Sequence, residues 1–91
     1  MRDLINDLLN ADETKFQSLL LENEELLMDP LLNDDAVLEK DTIYEKGMTV
    51  EERFEKYETV MLAREEKAVN KKAAQILAGM REFVMSRREI A

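Results

Sequence analysis

The feature that most constrains the fold is a long stretch without a helix breaker that begins at Thr49. Residues 49–52 match a capping box, in which the Thr49 hydroxyl accepts a hydrogen bond from the Glu52 amide and the Glu52 carboxylate accepts one from the Thr49 amide. An unbroken helix from Thr49 to about Arg88 would contain about 40 residues and extend about 60 Å. A compact chain of 91 residues has a radius of gyration of only about 12 Å, so such a helix must either break or pack along a partner.

Apolar residues in this stretch recur at alternating steps of four and three residues, which is the spacing of a coiled-coil seam. The spacing occurs in two registers displaced by one residue: Val50, Phe54, Tyr57, Met61 and Ala68, and then Val69, Ala73, Ile76, Met80 and Phe83 or Val84. The predicted packing seam comprises Phe54, Tyr57, Met61, Ile76, Met80 and Phe83. Polar residues separate the two registers and Asn70 is suited to cap a new helix, so a continuous helix and a break near residues 65–71 are both open.

The N-terminal third also has helical patterns. Its apolar residues form two stripes, Met1, Leu4, Ile5, Leu8 and Leu9, followed by Phe16, Leu19, Leu20, Leu26 and Leu27. Asp12 is suited to cap a helix between the stripes, so a helical hairpin is preferred to one continuous helix. Pro30 is expected to end this segment, because a proline disfavours the helical conformation at the residue before it, Asp29.

The composition of the whole chain agrees with these local helical patterns. There are only two Gly and one Pro, and 37% of the residues are charged, which is typical of long helices. Residues 30–48 are acidic and less regular, which predicts a connector with short helical turns that closes at Gly47, where a positive φ is tolerated. We therefore predict an all-α fold with an acidic helix or hairpin over 1–29, this connector over 30–48, and a long helix, continuous or bent, with coiled-coil-like packing over 49–90.

Missing residue types argue against an enzyme. The chain has no His and no Cys, so the commonest general base and the thiolate nucleophile are both absent. Neither Ser18 nor Ser86 lies in a Gly-x-Ser-x-Gly motif, and the two glycines are too far apart for a phosphate-binding loop. We predict no catalytic residue, no cofactor and no small-molecule substrate.

Carboxylates are the remaining candidates for metal ligands. Glu51-Glu52-x-x-Glu55 resembles half of the magnesium signature of all-helical nucleotide pyrophosphohydrolases, whose second half is a later Glu-x-x-Asp. No such pair follows residue 55, so the capping box explains these residues better. The acidic residues 33–39 lack the alternating ligands and central Gly of a calcium-binding loop. No metal site is predicted.

The chain is also expected to be an intracellular protein. It has no cysteine, and small secreted domains of this size usually depend on disulfide bonds. Its longest stretch without a charge, residues 73–80, is far shorter than the roughly 20 apolar residues that span a bilayer. These observations predict a cytoplasmic location, or an intracellular one in a host cell, and no transmembrane segment.

Charge is distributed unevenly along the chain. Residues 1–45 contain 3 basic and 13 acidic side chains, a net charge of −10, and residues 46–91 contain 10 basic and 8 acidic ones, a net charge of +2. The candidates for charged contacts in the basic end are Lys71, Lys72, Arg81, Arg87 and Arg88. This end could bind the acidic segment within one chain or between chains.

These features favour a non-enzymatic protein–protein interaction factor, such as an adaptor, an assembly factor or a regulator. It is expected to form a homo-oligomer through the helix that begins at Thr49 and to bind a protein partner with one charged end. In composition the chain resembles small viral assembly or scaffolding factors, which are acidic and helical and have a basic tail. That resemblance implies a role in assembly.

Two alternatives remain open. The acidic half could imitate nucleic acid and inhibit a protein that acts on DNA or RNA. Alternatively, the basic C-terminal helix could bind nucleic acid itself, although the net charge of −8 argues against a general affinity for phosphates.

Overall fold

The computed structural model describes residues 2–33 and 43–88. Within these ranges there are five α-helices and no strand, which confirms the predicted all-α class. The helices are α1 (Arg2–Leu9), α2 (Glu13–Glu22), α3 (Glu24–Leu32), α4 (Val50–Glu66) and α5 (Lys71–Ser86). The principal extents are 37 × 27 × 24 Å, so a helix of 60 Å would not fit along any axis.

The long C-terminal stretch is broken into the hairpin of α4 and α5. The capping box at Thr49 is confirmed, because the Glu52 amide donates to the Thr49 hydroxyl and the Thr49 amide donates to the Glu52 carboxylate, each at 3.1 Å. The first helix ends at Glu66, and Asn70 caps the second by accepting from the Ala73 amide at 2.9 Å. In the described part of the chain, α4 and α5 pack against each other more extensively than any other two helices.

The N-terminal segment contains three helices where a single helix or a hairpin was expected. Asp12 caps α2 as predicted, accepting from the Lys15 amide at 2.8 Å. A second break follows at Asn23, which ends α2 and donates its side-chain amide to the Leu19 carbonyl at 2.8 Å. Leu26, which was assigned to the same stripe as Leu19, is 47% exposed and so does not continue it.

Pro30 lies inside α3, so the prediction that it ends the helix is wrong. The helix continues to Leu32, and the Asn33 amide still donates to the Asp29 carbonyl at 2.9 Å. Leu27 and Leu31 are buried on either side of the proline. Burial of a leucine contributes roughly 1.5–3 kcal/mol, which is enough for these two to offset the roughly 3 kcal/mol cost of an interior proline.

Of the predicted connector, residues 34–42 lie outside the described residues, and residues 30–32 belong to α3. Gly47 has a φ of +95°, in agreement with the positive φ expected where the connector closes. Tyr44, just before it, is buried in the core.

A single core lies between the hairpin and the three N-terminal helices. Its buried members are Leu4, Leu8, Leu19, Leu20, Leu27, Met28, Leu31, Tyr44, Phe54, Tyr57, Met61, Ile76, Met80 and Val84. Gly79 allows α2 to approach α5 closely, because a Cβ at this position would lie only 2.6 Å from the ring of Phe16. Arg53 is also buried and donates to the Leu31 carbonyl at 3.2 Å, which joins the end of α3 to α4.

Candidate interaction surfaces

The residues of the predicted seam come together inside one chain. Five of the six are buried in the core, and the sixth, Phe83, is half-buried and packs against it. The five are Phe54, Tyr57, Met61, Ile76 and Met80. They pack between α4 and α5 and against the N-terminal helices, so their burial needs no second copy of the chain.

Arg81 links the two helices of the hairpin. Its Nε lies 2.6 Å from the Glu65 Oε2, and both side chains are largely shielded from solvent. The hydrogen bond to Glu65 raises the pKa of Arg81 above its usual value. Arg81, which was predicted to contact a partner, is therefore already paired with Glu65 of the same chain.

Arg87 and Arg88 are also paired within the chain, at the end of the hairpin opposite its turn. The Arg87 Nε lies 2.9 Å from the Glu24 carboxylate, and its guanidinium stacks 4.8 Å from the centre of the Phe83 ring. Arg88 pairs with Glu51 and, at 3.7 Å, with Glu55. The Arg87–Glu24 pair joins the basic end of the chain to its acidic segment, which is the intramolecular form of the contact expected from the charge distribution.

The remaining two charged candidates are at the surface. Lys71 and Lys72 begin α5, are exposed, and form no ion pair with any described residue. They adjoin the turn between the helices, where Val69 is 92% exposed. We call this surface the basic corner, and its residues are Lys67, Val69, Lys71 and Lys72.

A second surface combines leucines with carboxylates. Glu25, Leu26, Asp29 and Leu32 follow one another at steps of one, three and three residues, so they lie on one side of α3, opposite its buried residues. Leu26 is 47% exposed and Leu32 is 48% exposed. Asp29 accepts a long hydrogen bond of 3.4 Å from Asn33, and no basic side chain among the described residues pairs with Asp29 or Glu25. We call these four residues the α3 outer face.

A cleft of about 400 Å³ separates α3 from the hairpin. Leu26 and Pro30 line one side, and Tyr57, Arg64 and Leu77 line the other. Most of the lining is apolar, which suits an apolar side chain of a partner better than a charged ligand. The cleft adjoins the α3 outer face, since Leu26 contributes to both.

Tyr57 has an unusual environment beside this cleft. Its hydroxyl is buried, and none of the described residues forms a hydrogen bond with it. Burial raises the pKa of Tyr57 to about 12, and it also raises the pKa of the neighbouring Tyr44. The hydroxyl itself is inaccessible, so it does not offer a contact to a ligand in the cleft.

Neither a metal cluster nor a membrane-spanning helix occurs in the described part of the chain. No group of three or more acidic side chains in it is placed to hold a metal ion. None of its helices is long and apolar enough to cross a membrane.

The α3 outer face was not predicted from the sequence. Leu26 was assigned to a buried stripe, and the available signal was Asn23, a residue that often ends helices and interrupts the stripe. When compared with protein-family models, curated proteins and solved structures, the chain matches none of them. The two surfaces are therefore the features of the chain that bear on its function.

Proposed function

We propose that this chain is a non-enzymatic helical interaction factor, of the adaptor, assembly or regulatory kind, that binds protein through the α3 outer face. The observation that carries the proposal is the composition of that face. Two leucines and two carboxylates without basic partners among the described residues lie together on a helix whose opposite side is buried. Self-association is part of the proposal, but through surface residues, because the predicted seam is buried in the core.

The two kinds of side chain would contribute differently to binding. Burial of each leucine against a partner provides affinity in proportion to the apolar area removed from water. Carboxylates contribute mainly to the rate and the orientation of association, because their attraction to basic groups acts over several ångströms. A partner with apolar and basic side chains matches this face best.

Removal of the leucines tests the proposal. The double variant Leu26→Ser with Leu32→Ser keeps the buried side of α3 intact, and we expect it to lose protein partners that the parent captures from an extract of its native host. Leu9→Ser is the matched control, since Leu9 is exposed to a similar degree, on α1. Capture of the same proteins by parent, control and double variant would show that the α3 outer face is not the binding surface.

A second candidate is an inhibitor that imitates nucleic acid. It is supported by exposed carboxylates on all three N-terminal helices, including Asp7, Glu22 and Glu25, none of which pairs with a basic side chain in the described residues. Such binding would weaken steeply with salt, since the Debye length falls from about 10 Å at 0.1 M to about 3 Å at 1 M. An affinity that depends on Leu26 and Leu32 and little on salt would favour the first proposal.

Direct binding of nucleic acid has less support. Of its five candidate phosphate contacts, Arg81, Arg87 and Arg88 already pair with carboxylates of the same chain, which leaves Lys71 and Lys72. A gel-shift assay at low salt with single-stranded and double-stranded probes tests this alternative, and we expect no complex.

A further inference from the structure

The α3 outer face and the basic corner lie toward opposite ends of the molecule. The Arg87–Glu24 ion pair places the start of α3 beside the C-terminal end of α5, whereas Lys71 and Lys72 are the first residues of α5. A helix of 16 residues is about 24 Å long. The two surfaces therefore leave each other uncovered within one molecule.

The two surfaces are complementary in charge. The α3 outer face has two carboxylates, and the basic corner has three lysines, all of them without ion-pair partners among the described residues. Lys71 and Lys72 also occupy the first turn of α5, where the helix dipole disfavours cations. Carboxylates supplied from outside the molecule would offset that unfavourable position.

The apolar groups of the two surfaces are matched as well. Leu26 and Leu32 on one surface correspond to Val69 on the other, and all three are exposed. Lysine stems can also cover leucine side chains while their ammonium groups reach the flanking carboxylates. Each surface thus has the chemistry that the other lacks, and both belong to one sequence.

From these observations we propose that the α3 outer face of one molecule binds the basic corner of a second copy, head to tail. The proposal rests on the interaction role proposed above and names the partner as the chain itself. Such a contact joins two different surfaces, so each added molecule leaves one surface of each kind free. The assembly then grows with concentration, into a ring or an open filament, and does not stop at a symmetric dimer.

Charge reversal tests the proposal, because it can be undone by mixing. One variant combines Glu25→Lys with Asp29→Lys, so both of its surfaces are basic. The other combines Lys71→Glu with Lys72→Glu, so both of its surfaces are acidic. Weight-average molar mass is measured by sedimentation equilibrium at concentrations from about 10 μM to about 1 mM, where weak interfaces associate.

We expect the parent to exceed the monomer mass of 10.6 kDa increasingly with concentration, and each variant alone to stay at the monomer mass. An equimolar mixture of the two variants should regain the mass of the parent, because every contact in it joins opposite charges. Asp7→Lys with Glu45→Lys is the matched control for the Glu25→Lys, Asp29→Lys variant, since it changes the net charge by the same amount and sign at exposed positions outside both surfaces. This control should assemble like the parent, and circular dichroism should show equal helix content in all variants.

Three results would overturn the proposal: a parent that stays monomeric throughout, a corner variant that assembles like the parent, or a mixture of folded variants that remains monomeric. A monomeric parent that still captures proteins through Leu26 and Leu32 would remove only this proposal and leave the interaction role intact. Assembly that persists in the Leu26→Ser, Leu32→Ser variant would count against both.

Discussion

The buried hydroxyl of Tyr57 leads to a prediction of stability at two pH values. The side chain is only 8% exposed, and no described residue forms a hydrogen bond with its hydroxyl. A buried polar group without a partner costs about 1–3 kcal/mol. We therefore expect Tyr57→Phe, which removes only this oxygen, to raise the free energy of unfolding at pH 7 by about 1 kcal/mol and the melting temperature by about 4–8 °C.

The same substitution should change the response to alkali. Burial raises the pKa of Tyr57 to about 12, whereas the unfolded chain releases this proton near the usual value of 10. The folded state therefore holds the proton more tightly, and the stability linked to it is complete below about pH 10 and is lost as the pH rises toward 12. Between pH 9 and pH 11 the ionisation of Tyr57 should lower the free energy of unfolding of the parent by about 1.4 kcal/mol. The Tyr57→Phe variant should not show this loss.

Urea unfolding of parent and variant at pH 7, 9 and 11 measures both effects. Other titrating groups are common to the two proteins, and Tyr44 is the neighbour whose pKa Tyr57 also raises, so the difference between their unfolding free energies reports on this pair of tyrosines. We expect the variant to have the higher free energy of unfolding at pH 7. The difference between the two proteins should increase between pH 9 and pH 11. A variant that is less stable than the parent at pH 7, or a difference that does not change with pH, would refute the reasoning.

Two further predictions concern the hairpin and its packing. Asn70→Ala removes the cap of α5 and should lower the free energy of unfolding by about 1 kcal/mol, as measured by urea unfolding, with Asn6→Ala on the surface of α1 as a control that has no capping role. Gly79→Leu places a side chain where a Cβ alone would lie 2.6 Å from Phe16, and it should cost about 1–3 kcal/mol by the same assay. An unchanged unfolding midpoint in either variant would contradict the corresponding contact, and Phe16→Ala should recover part of the loss in the Gly79→Leu chain.

Local features of the structure could be predicted from the sequence because they depend on neighbouring residues. The caps at Asp12, Thr49 and Asn70 each depend on a side chain and an amide three residues later, so the residue types alone indicate them. The positive φ at Gly47 is likewise a property of one residue. The seam residues were predicted as packing positions for a similar reason, since their apolar spacing places them on one side of a helix.

Other features depend on the free energy of tertiary contacts, which the local sequence pattern does not reveal. The spacing of Phe54, Tyr57 and Met61 would serve a partner helix or a folded-back one equally well, and only the break at residues 67–70 makes the partner α5 of the same chain. Pro30 stays in a helix because the burial of Leu27 and Leu31 outweighs a missing hydrogen bond.

Composition and short-range hydrogen bonds decide the helical class of this chain, its helix caps and its separation of charge, so all three can be predicted from the residues alone. The tertiary structure decided which of those charges remain available. It pairs Arg81, Arg87 and Arg88 with carboxylates of the same chain and leaves Lys71 and Lys72 at the surface, since pairing depends on which helix ends the fold brings within a few ångströms. It also leaves Leu26 at the surface, because the core packs against the other side of α3, where Leu27, Met28 and Leu31 are buried.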